Sequence, residues 1–171
     1  MKLLPALLLT LFLALVVGAV MLLVAGQLGL LKGSMPDDLG VRDSQLKPPS
    51  RTPNSVSSQA GAYDGDGARY AAIEPLRYAP AGPQAGAQAL TRIREIVLKM
   101  PGARIMTSAP DYLYVQFTTR WLGFVDDAEF FVAPAGGVIH VRSASRLGKS
   151  DFGANRARIE HIRAALAAAG G

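Results

Sequence analysis

From Leu3 to Leu31 the chain carries no charge, and Gln27 is the only strongly polar residue between Lys2 and Lys32. A helix rises about 1.5 Å per residue, so about 20 such residues cross a hydrocarbon core of roughly 30 Å. A secretory signal peptide has a shorter apolar region, about 7–15 residues, ending in a small-residue cleavage site. The small residues around Gly18-Ala19 and Ala25-Gly26 do not form one. The run therefore reads as an uncleaved signal anchor over residues 1–32, contacting the membrane through residues 3–31. Lys2 and the amino group precede it, while Lys32 follows it with Asp37 and Asp38 close behind. The positive-inside rule counts basic residues, which gives a slight bias to a cytoplasmic N-terminus and an extracytoplasmic globular part.

The part of the chain beyond the anchor is small. Of 171 residues, those beyond the polar stretch at 33–66 leave about 100, a common size for one self-sufficient core. Cysteine is absent, which excludes disulfides, cysteine-based zinc or iron–sulfur sites and a thiol nucleophile. The formal net charge is +5, yet the basic residues stand singly or in pairs such as Arg92 with Arg94 and Arg156 with Arg158. No basic stripe with interleaved aromatics is present, so nucleic acid is not an expected partner.

Residues 33–66, rich in Pro, Ser, Asp and Gly, read as an irregular or extended tether. Its segment Thr52 to Ser58 is free either to float or to wrap on the domain. The folded part, residues 67–171, opens with an expected short strand from Tyr70 to Tyr78, restricted by Pro75 to an edge or a bulge. Pro83 suits a helix start. Leu90, Ile93, Val97 and Met100 recur at helical spacing before Pro101-Gly102 stops the helix. Four strands come next, at 104–108, 112–119, 124–133 and 138–145. A last helix runs from about Gly153 to Ala169, capped by Ser150 or Asp151 and buried along Ile159, Ile162 and Leu166. The order predicts an α+β fold: a four- to five-stranded antiparallel sheet with two helices packed on one face.

The densest polar pattern lies in the second hairpin. If Ala133 pairs with Val138 across the turn, Glu129 lies opposite Arg142, and Asp127 lies opposite Ala144 and diagonal to Arg142 and Arg146. Period-two alternation puts Asp127, Glu129, His140, Arg142 and Arg146 on one face. A slip of one residue would set Glu129 beside Val141 on the apolar side. Two uses of that face stand open. One is an anion or polar-ligand site built from Arg142, Arg146, Arg156 and His140, because the planar arginine fork donates two parallel bonds. The other is a structural ion network of Asp126, Asp127, Glu129, Arg142 and Arg158, a cross-strand ladder that holds register on a partly solvated sheet. Asp126 falls on the apolar side and needs a partner, Arg156 or Arg158 of the last helix.

Other chemistry finds little support. His140 and His161 lack metal-site spacing, so neither metal nor cofactor is expected. No serine sits in a Gly-x-Ser-x-Gly elbow, which leaves Ser143 or Ser57 with His140 as a remote nucleophile–base pairing. The glycines at 61, 65 and 67 form no phosphate loop. Arg120, Trp121 and Phe124 bring aromatic rings and a guanidinium into one inter-strand loop, a composition favoured at lipid head groups and also at the closed end of a core.

Four runs together carry a family resemblance: Pro53-Asn-Ser-Val-Ser-Ser58, Phe124-Val-Asp-Asp-Ala-Glu-Phe130, Arg142-Ser-Ala-Ser-Arg-Leu-Gly148 and Asp151-Phe-Gly-Ala-Asn-Arg-Ala-Arg158. In this order they resemble the domain of unknown function 1499 family, over roughly Leu46 to Leu166. The resemblance implies a bacterial envelope or plastid setting and no established activity. Many members carry two cysteines in the entry region; Pro48 and Ser55 stand there in this chain, so no role of that pair operates here. The expectation is a single-pass protein of the bacterial inner membrane with a periplasmic, non-catalytic domain that binds an envelope partner or a small polar or lipid-like ligand. The runner-up is a hydrolase-like enzyme using a serine or carboxylate near the charged face.

Overall fold

The computed structural model describes residues 3–79 and 83–170. Lys2, the basic flank ahead of the apolar run, lies outside the described residues. Helix α1 (Leu3–Gln27) is the one described helix long and apolar enough to cross a membrane, a property that signal sequences share. Its side chains face outward all round until Gly26, which is buried. The helix ends where Gly29 takes a left-handed φ of 78°, with the Leu30 amide donating to the Ala25 carbonyl at 3.0 Å and the Gly29 amide to the Gly26 carbonyl at 2.9 Å. That pairing satisfies carbonyls that the last turn of a helix otherwise leaves orphaned.

The domain is one antiparallel sheet with helices on one face. Its strands are β1 (Ser55–Ser57), β2 (Leu76–Arg77), β3 (Ala103–Ser108), β4 (Tyr112–Thr118), β5 (Val125–Val132) and β6 (Val138–Ser145). Their spatial order is β1-β6-β5-β4-β3, and β2 shares the outer edge of β6 with β1. Helices α3 (Pro83–Leu98) and α4 (Ala154–Gly170) supply Leu90, Ile93 and Val97, and Ile159, Ile162 and Leu166. These close on Leu113, Val115 and Phe117 of β4, Phe130 and Val132 of β5, and Ile139 and Val141 of β6. The periodicities read from the sequence place both stripes: alternate residues of β4 turn inward, and every third or fourth residue of each helix meets them.

Two elements differ from expectation. The stretch expected as a strand from Tyr70 to Tyr78 begins as a short helix, α2 (Asp66–Ala71), and only Leu76 and Arg77 pair with β6. Tertiary packing overrides local preference here: Ala68 and Ala71 are buried, whereas Tyr70 is exposed. The sheet also gains β1, giving six strands, because Ser55, Val56 and Ser57 fill the open edge of β6 opposite Ala144, Ser143 and Arg142.

The polar stretch read as a tether lies across the sheet. Gly33 packs on Arg146 and Leu147, Leu46 is 2% exposed, and the strap then enters the sheet as β1. It covers β5 and β6 on the face opposite the helices, so these central strands are enclosed on both sides, while β3 stays largely exposed. Leu46→Ala is therefore expected to destabilise the whole domain by about 2–5 kcal/mol, the usual cost of truncating a buried leucine. Denaturant unfolding of the full chain in detergent checks this: a lower midpoint in one cooperative transition is expected, and an unchanged midpoint would show the strap to be separate from the fold.

Candidate functional site

β5 carries three acids within four residues, Asp126, Asp127 and Glu129, and all three are buried. The observed register sets Glu129 opposite Arg142 and Asp127 opposite Ala144, with the Ala133 amide bonded to the Val138 carbonyl at 3.0 Å to close the turn. Alternation sends Asp127 and Glu129 to the strap face and Asp126 to the helix face.

On the strap face, each carboxylate meets partners from several elements. Tyr112 Oη and the Gly40 amide both donate to Glu129 Oε1 at 2.8 Å, and Arg142 Nη1 approaches Oε2 at 3.5 Å. Arg142 Nε also donates to the Pro48 carbonyl at 3.3 Å, which ties the strap down. Asp127 is held by the fork of Arg146, Nε to Oδ2 at 2.8 Å and Nη2 to Oδ1 at 2.7 Å, and by Tyr114 Oη at 2.6 Å. Gln116 completes the row by donating to Tyr114 Oη at 2.8 Å.

This face was expected to be partly solvated, and it is not. Glu129 is 0%, Asp127 1% and Arg142 4% exposed, because residues 33–50 of the strap exclude water from the ladder. The electrostatics reflect that enclosure. Burial pulls the Arg142 guanidinium below its ordinary range, against the opposing pull of Glu129 and Asp127. Burial and the adjoining Glu129 push the Tyr112 phenol well above its usual value; burial and the bond to Asp127 do the same to Tyr114. Both phenols therefore remain proton donors. The short bonds to Asp127 raise the Arg146 guanidinium.

On the helix face Asp126 meets Arg158, with Nη2 donating to Oδ2 at 2.6 Å; of the two arginines considered for that role, Arg158 is the one that reaches it. Arg158 lies over the Phe117 ring at 4.5 Å and also donates to Ser143 Oγ at 3.1 Å and Asn155 Oδ1 at 2.7 Å. Asn155 is fully buried and central. Its amide group donates to the Asn54 carbonyl at 3.2 Å, Ser145 Oγ at 3.1 Å and Asp151 Oδ2 at 2.9 Å. Asp151 caps α4 by accepting from the Gly153 and Asn155 amides, which outweigh its own burial and hold its carboxyl below the usual range. Sequence reasoning passed over Asn155 and Asn54. The signal was present in part, since an acid capping a helix leaves the residue four positions on facing the same end of the sheet.

The residues considered as one ligand site do not converge. Arg142 and Arg146 are consumed by Glu129, Asp127 and the strap. Arg156 projects from α4 on the opposite side of the sheet and donates to the Tyr70 and Ala72 carbonyls at 2.6 and 2.9 Å. His140 is half-buried beside Phe131, with Nδ1 3.3 Å from Ser58 Oγ. Neither Ser143 nor Ser57 reaches it: Ser143 donates to Asn155 Oδ1 at 2.5 Å on the helix face, and Ser57 accepts from the Gln59 amide. Ser58 in turn accepts the Val141 amide at 2.9 Å, so its hydroxyl is engaged by the edge of β6.

The β4–β5 loop has a different setting. Trp121 is 64% exposed, with Arg120 5.1 Å from its ring centre, while Phe124 is half-buried and donates its amide to Thr119 Oγ1. Gln27, the last residue of α1, donates to the Arg120 and Trp121 carbonyls at 3.2 and 2.9 Å. Gly26 and Gly123 meet backbone to backbone. A Cβ on Gly26 would lie 2.6 Å from the Leu122 carbonyl oxygen, and one on Gly123 2.7 Å from that of Gly26.

The model of the family described as Protein of unknown function (DUF1499) matches residues 45–166. That span holds both polar networks apart from the Gly40 amide. No curated protein matches the chain, and no solved structure does.

The geometry carries two expectations. Asp126→Ala leaves Arg158 without its carboxylate, and breaking a buried pair costs about 3–5 kcal/mol; the lower end is expected because Arg158 keeps some solvent access. Adding Arg158→Met should recover part of the lost midpoint in thermal unfolding, and a midpoint unmoved by Asp126→Ala would remove the pair from the stabilising contacts. Burial also lowers His140 below its ordinary 6.5, so the fold accepts the neutral ring. Its contribution is complete above about pH 6.5 and is lost as pH falls through the lower folded value, because unfolding there takes up a proton. Stability measured across that window should fall with acid, and His140→Gln should flatten the slope.

Proposed function

The chain belongs to the DUF1499 family, whose description carries no activity, and from its geometry we propose that it is a non-catalytic domain held at a bacterial inner membrane by α1. On this reading α1 is an uncleaved anchor, the domain stands on the periplasmic side, and its work is to bind an envelope partner or a small polar or amphipathic ligand close to the bilayer. One observation carries the non-catalytic part: the acids, arginines and serines able to do chemistry are already engaged with one another or with backbone. Asp127 and Glu129 are sealed beneath the strap, Asp126 is paired with Arg158, and Ser143 is bonded to Asn155. A general base must reach its substrate's proton, and a nucleophile must be open to attack. The anchored part is supported by the length and uniform apolarity of α1.

The hydrolase alternative retains one contact, Ser58 with His140 at 3.3 Å. Among the described residues no carboxylate orients that histidine: its neighbours are Phe131 and the strand edge.

Membrane fractions of cells expressing the full chain test the anchor. The protein is expected to resist alkaline extraction at its full 18.0 kDa and to be digested by protease added to spheroplasts but not to intact cells. A shorter, soluble species would mean that α1 is a cleaved signal sequence. A serine-reactive phosphonate probe tests the domain: no labelling is expected, and labelling of Ser58 that disappears in His140→Ala would establish the enzyme instead.

A further inference from the structure

Three contacts link the end of α1, the segment after it and one end of the sheet. Gly26 packs on Leu122 of the β4–β5 loop, the Arg146 amide donates to the Val125 carbonyl at 3.1 Å, and Gly33 packs on Leu147 of the β6–α4 loop. The β4–β5 loop, the β6–α4 loop and the helix exit therefore form one continuous surface. A groove lined by Met100, Pro101, Arg120 and Ala154 runs from the β4–β5 loop to the start of α4.

That surface has an unusual composition. Phe152 is 98% exposed, Trp121 64% and Leu147 40%, and Leu28 and Leu30 at the helix exit are 72% and 71% exposed. Phe152 also takes a left-handed φ of 51°, a conformation that bulky residues seldom adopt. The cap formed by Asp151 holds it there, aimed away from the core. Exposed Arg120, Lys149 and Lys32 stand among these apolar groups. The one acid in the two loops, Asp151, is turned inward onto Asn155 and Gly153. Aromatic and aliphatic side chains interleaved with exposed cations, with no free anion in the two loops, match the interface of an anionic bilayer, where rings sit at head-group level and cations meet lipid phosphate.

We infer that this end of the domain is a second membrane contact: Trp121, Leu147 and Phe152 enter the head-group region beside the span, while Arg120, Lys149 and Lys32 bind anionic lipid. The inference rests on the anchored reading of α1 and names the ligand of that reading as the bilayer surface itself. It explains why a phenylalanine is fixed in the open on a strained backbone. It also explains why the apolar run continues past Gln27 to Leu31, since Leu28 and Leu30 lie at the same level as the loops.

Trp121 is the single tryptophan of the chain, so it reports without labelling. The full protein is reconstituted in vesicles of phosphatidylcholine with phosphatidylglycerol, some made with lipids brominated near the head group. Trp121 fluorescence should be blue-shifted and quenched by bromine. In a Trp121→Phe, Phe152→Trp protein, the tryptophan at 152 should be quenched as well. Arg120→Glu with Lys149→Glu should cut that quenching severalfold in the anionic vesicles, with thermal unfolding unchanged because both side chains are exposed. Vesicle-bound protein that resists alkali but shows water-like, unquenched emission at both positions would overturn the inference and leave the anchor standing. Release by alkali would instead overturn the anchor. Cross-linking of position 152 to a second copy or another protein in place of lipid would also overturn the inference.

Discussion

Three carboxylates buried in one central strand set the terms for the rest of this fold. Asp126, Asp127 and Glu129 of β5 lie where water does not reach, and an ionised group there must be paired or it costs several kcal/mol. Because strand residues alternate, the partners have to arrive from both sides of the sheet. Tyrosines come from β4, Arg142 from β6 and Arg146 from just beyond it, a backbone amide and carbonyl from the strap, and Arg158 from α4. Removing any one of these elements would leave a charge or a donor stranded. The ladder thus explains why a chain with such a modest apolar core folds with its strap closed rather than open.

Buried ion pairs are weak evidence for net stability, since desolvation offsets much of their attraction. Their contribution here is selection. A one-residue slip of β5 against β6 would bring Glu129 beside Val141 and send Phe130 to the polar face, and no partner waits there for either. The same enclosure that fixes the register removes the charged face from use. Asp127, Glu129 and Arg142 thereby become interior groups, bonded to one another's neighbours and to the strap.

How much of this was legible beforehand depends on where each signal resides. The Glu129–Arg142 pairing was readable because turn length and polarity alternation both point to one register. Helices α3 and α4 were readable from apolar spacing, and the family from four short runs in order. β1 was not, because Ser55-Val56-Ser57 offers one apolar residue and becomes a strand only when β6 presents an open edge. Nor was the burial of the ladder, for the cover is made largely of a Gly40 amide and a Pro48 carbonyl. Backbone groups are the same at every position and leave no trace in a sequence. Arg156 illustrates the converse: its residue type suited a ligand site, but the helix that carries it packs on the other face.

The glycine contact at the end of α1 has a mechanical meaning. With no side chain between Gly26 and the β4–β5 loop, and Gly33 already seated on Leu147, the connection contains no slack. A leash would let a domain roam over a hemisphere and change its heading freely. This junction instead sets the last turn of α1 directly against the β4–β5 loop, through Gly26 on Leu122 and Gln27 on the Arg120 and Trp121 carbonyls. A turn of α1 about its own axis is therefore passed to that loop, and through the loop to β4 and β5. In that sense the chain is built less like a buoy on a line than like a vane on a spindle.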